Sequence, residues 1–111
     1  MNNKLFIIFA ALMCAACSGE SVEQQAQRIL AQSRAELQAG NYAVARDSIQ
    51  SIRKNYPTAL QTRAAAILLL DSIEMQAAAD SAQYAEGEEF ERLDMKARFF
   101  ERKLQEDLQK K

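Results

Sequence analysis

The stretch Tyr84-Ala85-Glu86-Gly87-Glu88-Glu89-Phe90-Glu91-Arg92-Leu93 decides how many helices the chain has and which way the last one runs. It joins an apolar helical pattern upstream to a charged one downstream, with a single Gly between them. A reversal needs a few turn residues and usually a fresh cap, yet Glu88-Glu89 follow Gly87 with no Ser, Thr, Asp or Asn to start a new helix. A Gly inside a helix costs only about 1 kcal/mol relative to Ala. The expectation is one long third helix from about Ala59 to Gln109, bent at Gly87, with a turned-back fourth helix as the alternative.

On the C-terminal side of Gly87, Phe90, Leu93, Ala97, Phe100 and Leu104 recur at alternating three and four residues, and charges of both signs fill the positions between. Glu88 to Arg92, Asp94 to Arg98, Glu106 to Lys110 and Asp107 to Lys111 are favourable i,i+4 pairs. This is the pattern of a short coiled-coil strand, and the charges read as a solvated helix face. If the long helix runs on, its apolar stripe has no intramolecular cover, and such a stripe marks an interface.

On the N-terminal side lies Ala64-Ala65-Ala66-Ile67-Leu68-Leu69-Leu70, apolar around its whole circumference for two turns and so expected to be buried by two preceding helices. Beyond Leu70 the apolar face narrows to Ile73, Ala77 and Tyr84. Asp71, Glu74 and Asp80 on the same helix read as solvated surface acids. Thr58-Ala59-Leu60-Gln61 offers a capping box for the start of this helix.

Further back, Tyr42, Ala45, Ile49, Ile52 and Tyr56 form an uninterrupted stripe, the expected core of a helical hairpin. That helix is preceded by Gly40-Asn41, a Gly suited to the left-handed position after a helix and an Asn suited to capping the next. It ends at Asn55-Tyr56-Pro57, because the residue before a proline is pushed out of the helical region. The first helix runs from about Val22 to Ala39, with Ser21-Val22-Glu23-Gln24 as its capping box. Its stripe of Val22, Ala26, Ile29, Leu30 and Leu37 is interrupted by Ser33.

Gly40-Asn41-Tyr42-Ala43-Val44-Ala45, taken with Ile49, Ile52 and Tyr56-Pro57, resembles the second half of a tetratricopeptide repeat. The Gly, the aromatic two residues on, the Ala three further and the Pro twelve after that all fall at that family's spacing. The likeness covers roughly residues 25–75 and extends to repeat-bearing bacterial lipoproteins, including small ones of Bacteroidota with one hairpin and a coiled coil. It implies a helical scaffold. A groove-binding array needs about three repeats, and one and a half do not supply it.

The N-terminal segment is an address. Lys4 supplies a positive charge, Leu5 to Met13 an apolar run too short to span a bilayer, and Cys14-Ala15-Ala16-Cys17 small residues before polar Ser18-Gly19-Glu20-Ser21. Cys17 after two alanines resembles the lipobox of bacterial lipoproteins, although Cys14 stands where that family usually has an aliphatic residue. The resemblance implies cleavage before Cys17, acylation of its thiol and stable anchoring by two or three chains. Ser18 in place of Asp implies the outer membrane. A plain secreted protein and a disulfide or metal pair are the alternatives.

The division is then residues 1–16 as signal, 17–21 as lipidated cysteine and linker, 22–86 as hairpin plus third helix, and 87–111 as charged helix. The chain of 111 residues carries a net charge of −1 and no His, and loses its free thiols if Cys17 is acylated. That composition argues against nucleic-acid binding, and without His and free thiols the chain lacks the commonest general base, nucleophile and zinc ligands. No catalytic residue, metal, cofactor or small-molecule substrate is expected. The expected role is a non-enzymatic helical adaptor that docks onto itself or another envelope protein. Its rival is a monomeric helical-bundle spacer in which a fourth helix folds back over residues 64–70.

Overall fold

A computed structural model describes residues 20–110. The signal segment and Cys17 lie outside the described residues. Within them the protein is all-α, with four helices and no strand.

Helix α1, Val22–Gln38, opens with the capping box that its sequence announces: the Gln24 N–H donates to Ser21 Oγ at 3.1 Å, and the Ser21 N–H donates to Gln24 Oε1 at 3.0 Å. It ends at Gly40, whose φ of +80° a Gly adopts without the crowding a Cβ brings. The Gly40 N–H donates to the Leu37 carbonyl at 3.0 Å and the Asn41 N–H to the Glu36 carbonyl at 2.9 Å, the two bonds of a Schellman turn. Asn41 begins α2 without capping it: its side-chain amide donates instead to Glu36 Oε1 at 2.8 Å.

Helix α2, Tyr42–Asn55, packs antiparallel on α1. Ala45, Ile49 and Ile52 are fully buried, and Tyr42 and Tyr56 pack half-buried at the edge of the same core. Ser33 corrects the expected gap in the α1 stripe. It is completely buried, and its hydroxyl donates to the Ala45 carbonyl of the facing helix at 2.8 Å. Val22, expected in the stripe, is largely exposed.

Helix α3 runs Leu60–Ala82 and α4 runs Gly87–Gln109, so the single long helix is overturned. The chain reverses through residues 83–86 and enters α4 at Gly87, with φ +60°. Omitting a side-chain cap costs about 1 kcal/mol, whereas burying one Leu or Phe side chain is worth about 1.5–3 kcal/mol. The reversal buries Leu93 and half-buries Ala97, Phe100 and Leu104 against α3, so burial wins over the missing cap. Glu88 and Glu89 in the first turn of α4 also complement the positive end of the helix dipole. Phe90, at the end of the stripe, is left exposed, and Tyr84 projects from the reversal at 88% exposure.

Ala66, Leu69 and Ile73 of α3 close the core of α1 and α2. Helix α4 approaches α3 alone, on another side. The result is two antiparallel hairpins joined through α3.

Candidate functional site

The acids of α3 are where the structure departs furthest from the sequence reading. Each of the three expected surface acids is tied to a neighbouring helix. Asp80 accepts a hydrogen bond from the Tyr42 hydroxyl at the start of α2. Glu74 takes a two-pronged bond from the Arg46 guanidinium of α2, through Nε and, at 3.0 Å, through a terminal nitrogen, and Lys96 of α4 lies 3.8 Å from it. Asp71 is 2% exposed, and its Oδ1 accepts from Lys103 Nζ of α4 at 3.2 Å.

Lys103 also donates to Asp107 Oδ2 at 2.8 Å, one turn on along α4, and Lys110 lies 3.4 Å from Asp107 Oδ1. Asp71 Oδ2 is closed to solvent and receives no donor. Burial first, and then the hydrogen-bonding partnership with Asp107, push the Asp71 carboxyl up to about 6 against the opposing pull of Lys103. Asp107 is held down to about 2, first by the neighbouring Asp71 carboxyl and then by its bond from Lys103. The pair therefore has one carboxyl that favours its proton and one that does not.

A second carboxylate works in the opposite sense at the start of α3. The capping box expected at Thr58 to Gln61 does not form. Ala59 precedes α3 without a side-chain cap, and Glu23 of α1 takes over the role. The Glu23 carboxylate accepts from the Gln61 N–H at 3.1 Å, the Thr62 N–H at 3.2 Å and the Thr62 hydroxyl at 2.7 Å. It thereby satisfies free N–H groups at the start of another helix. These bonds, the Thr62 hydroxyl foremost, lower the Glu23 pKa.

Beside Asp71 and Lys103, a groove of about 620 Å³ opens between the end of α2, the first half of α3 and the end of α4. Its apolar lining is Ile49, Leu60, Ala64, Ile67, Leu70 and Phe100, of which Leu60 is 68% exposed. Of the expected interaction stripe, Leu93, Ala97, Phe100 and Leu104 face α3, so its premise of having no intramolecular cover is overturned. On α4, Asp94 pairs with Arg98 at 3.1 Å as its spacing implies, whereas Arg92 pairs with Glu89, not Glu88. Lys110 pairs with Asp107 instead of Glu106, and the proposed partner Lys111 lies outside the described residues.

The hairpin residues Tyr42, Ala45, Ile49, Ile52 and Tyr56 are thus brought together in a core, and the α4 stripe is brought onto α3. What sequence reasoning missed is the Asp71, Lys103 and Asp107 group and the Glu23 cap. The available signal for the first was an acid set directly against Leu70 in an apolar segment. Among the described residues, no cluster of three or more His, Cys, Asp or Glu is arranged to hold a metal, and no helix is long and apolar enough to cross a membrane. No protein-family model, curated protein or solved structure matches the chain.

Proposed function

We propose that the protein is a lipid-anchored helical adaptor of the bacterial cell envelope, held by acylated Cys17 and acting by protein–protein contact, not catalysis. The tetratricopeptide-like reading of the α1–α2 hairpin belongs to the same proposal. It is supported by the Gly40 turn, the Ser33–Ala45 approach and the break at Pro57. The observation that carries the adaptor reading is the open apolar groove lined by Leu60, Ile67 and Phe100, with α2 and α4 standing apart across α3. This groove replaces the α4 stripe as the contact surface.

A photo-crosslinking residue in place of Leu60 or Ile67, introduced in living cells, tests it. The adaptor reading expects a discrete adduct with one protein, abolished by Leu60→Asp. Absence of any protein adduct would instead favour the spacer reading, which the folding back of α4 over residues 64–70 supports. Anchoring is tested separately by Cys17→Ser, which is expected to move the protein from the membrane to the soluble fraction. Unchanged fractionation would rule out the lipid anchor.

A further inference from the structure

We propose that the groove along α3 is a seat for one amphipathic helix of a second protein, apolar on the face that enters the groove and carrying carboxylates beside that face. The inference rests on the adaptor reading and deepens it, because it names the chemistry of the partner.

The shape calls for a helix. On α3, Leu60, Ala64 and Ile67 stand four and three residues apart on one exposed face, the spacing with which one helix packs on another. Ala64 is the small member and leaves a hollow between Leu60 and Ile67 for an incoming side chain. Helices α2 and α4 form the walls without meeting, since no Cα of one comes within 8 Å of the other. The floor from Leu60 to Asp71 runs about 16 Å, or three helical turns, enough for apolar anchors at i, i+3 or i+4, and i+7 of a partner helix.

The charges give the partner its sign. Arg53, at the end of α2, and Arg63, on α3, both line the groove. Among the described residues neither has a carboxylate partner: Arg53 is exposed and makes no bond, and Arg63 donates to the Pro57 carbonyl at 2.8 Å. Lys103 and Asp71, the other charged residues of the lining, already pair with each other at 3.2 Å. Glu23, the acid at the start of α3, is engaged by the N–H groups of Gln61 and Thr62. The groove therefore sets two uncompensated cations beside exposed Leu60 and Ile67, whereas Arg46, Arg92 and Arg98 elsewhere each hold a carboxylate. A helix with acids flanking its apolar face supplies what Arg53 and Arg63 lack, and complementarity of this kind selects a partner and its orientation.

Other occupants fit less well. Two copies of the groove placed face to face set Arg53 and Arg63 against their counterparts, which like-charge repulsion disfavours. A bilayer surface is flat and does not reach a floor set between two walls.

The full-length chain with a photo-crosslinking residue in place of Ile67 is irradiated in living cells, and the crosslinked segment is mapped by mass spectrometry. We expect an adduct within one helical segment of another protein, apolar at i, i+3 or i+4, and i+7, with Asp or Glu beside those positions. Arg53→Glu combined with Arg63→Glu is expected to lower the adduct yield about tenfold, the corresponding Gln pair to lower it less, and Lys in place of the partner's acids to restore the yield of the Glu pair. Should Arg63→Glu disturb the fold through its bond to Pro57, Arg53→Glu alone, at an exposed residue with no bond to lose, reads the same loss. A yield that ignores the charge reversal, or an adduct with a segment without acids or with a second copy of this chain, overturns this inference and leaves the adaptor reading standing. Adducts with lipid alone, or none, overturn both.

Discussion

The α1–α2 hairpin and the α3–α4 hairpin share an outline and differ in what holds them. Both reverse into a Gly at positive φ, Gly40 at +80° and Gly87 at +60°. The first is closed by a Schellman turn and by fully buried side chains, with the one buried polar group, Ser33, satisfied by a carbonyl. The second closes through three bonds of 3.2 Å spanning three residues each, from Gln83, Tyr84 and Ala85, and its second helix has a single buried residue, Leu93, still 9% exposed. Polar links do the rest: Lys103 to Asp71, and Lys96 to Glu74. An apolar closure carries no titrating group and does not itself respond to pH, whereas a closure through partly buried carboxylates is tunable by pH and salt. The two hairpins thus divide the molecule into a stable half and an adjustable half.

The most severe way to break the contrast is to hollow the stable half. Ile52 is completely buried in the three-helix core, and Ile52→Ala is expected to cost about 3 kcal/mol and to lower the unfolding midpoint of every helix together. Leu93→Ala, at the edge of burial, is expected to cost about 2 kcal/mol and to act locally. Amide exchange separates the cases. If Leu93→Ala lowers protection in α1 and α2 as much as in α4, the halves are one cooperative unit and the division fails.

The glycines give a matched pair of smaller size. A Cβ at either position meets nothing within 4 Å, so substitution costs only the strain of a positive φ. For Ala that is about 1–2 kcal/mol. Gly40→Ala is expected to lower the global midpoint, and Gly87→Ala to increase opening of α4 with little change in α2. Equal global effects would show that the second turn is as integral as the first.

How much of this was readable in the sequence follows the same division. The capping box at Ser21, the Gly40 turn, the Pro57 break and the core residues Ala45, Ile49 and Ile52 are set by neighbours within a turn or two, and periodicity and cap chemistry exposed them. The reversal at Gly87 was not readable from its own residues, because its cause is the burial of Leu93 and its neighbours on a helix already laid down. Ser33 looked like an interruption because its acceptor, the Ala45 carbonyl, is twelve residues away. The acids of α3 looked solvated for the same reason: Tyr42 and Arg46 lie 38 and 28 residues before their partners, and Lys103 lies 32 after its own. A local window records an acid but not the cation that will meet it.

The finest test compares the start and the middle of α3 through the opposite signs of the carboxylates there. Glu23 has a lowered pKa, so its contribution is present above the ordinary Glu value and is lost as the pH falls through the lower folded one. Asp71 is raised to about 6 from 3.8, so its contribution is full below 3.8 and is lost as the pH rises through 6. The α1–α3 joint therefore loosens toward acid, the α3–α4 joint toward neutral and alkaline pH, and stability should peak in weakly acidic solution. Glu23→Gln keeps one acceptor for Gln61 and Thr62 but removes the charge. It is expected to flatten the acid limb of a plot of denaturation midpoint against pH while leaving the limb above pH 5 unchanged. If both limbs flatten together, the two joints are coupled through the first half of α3, and the stable and adjustable halves behave as one.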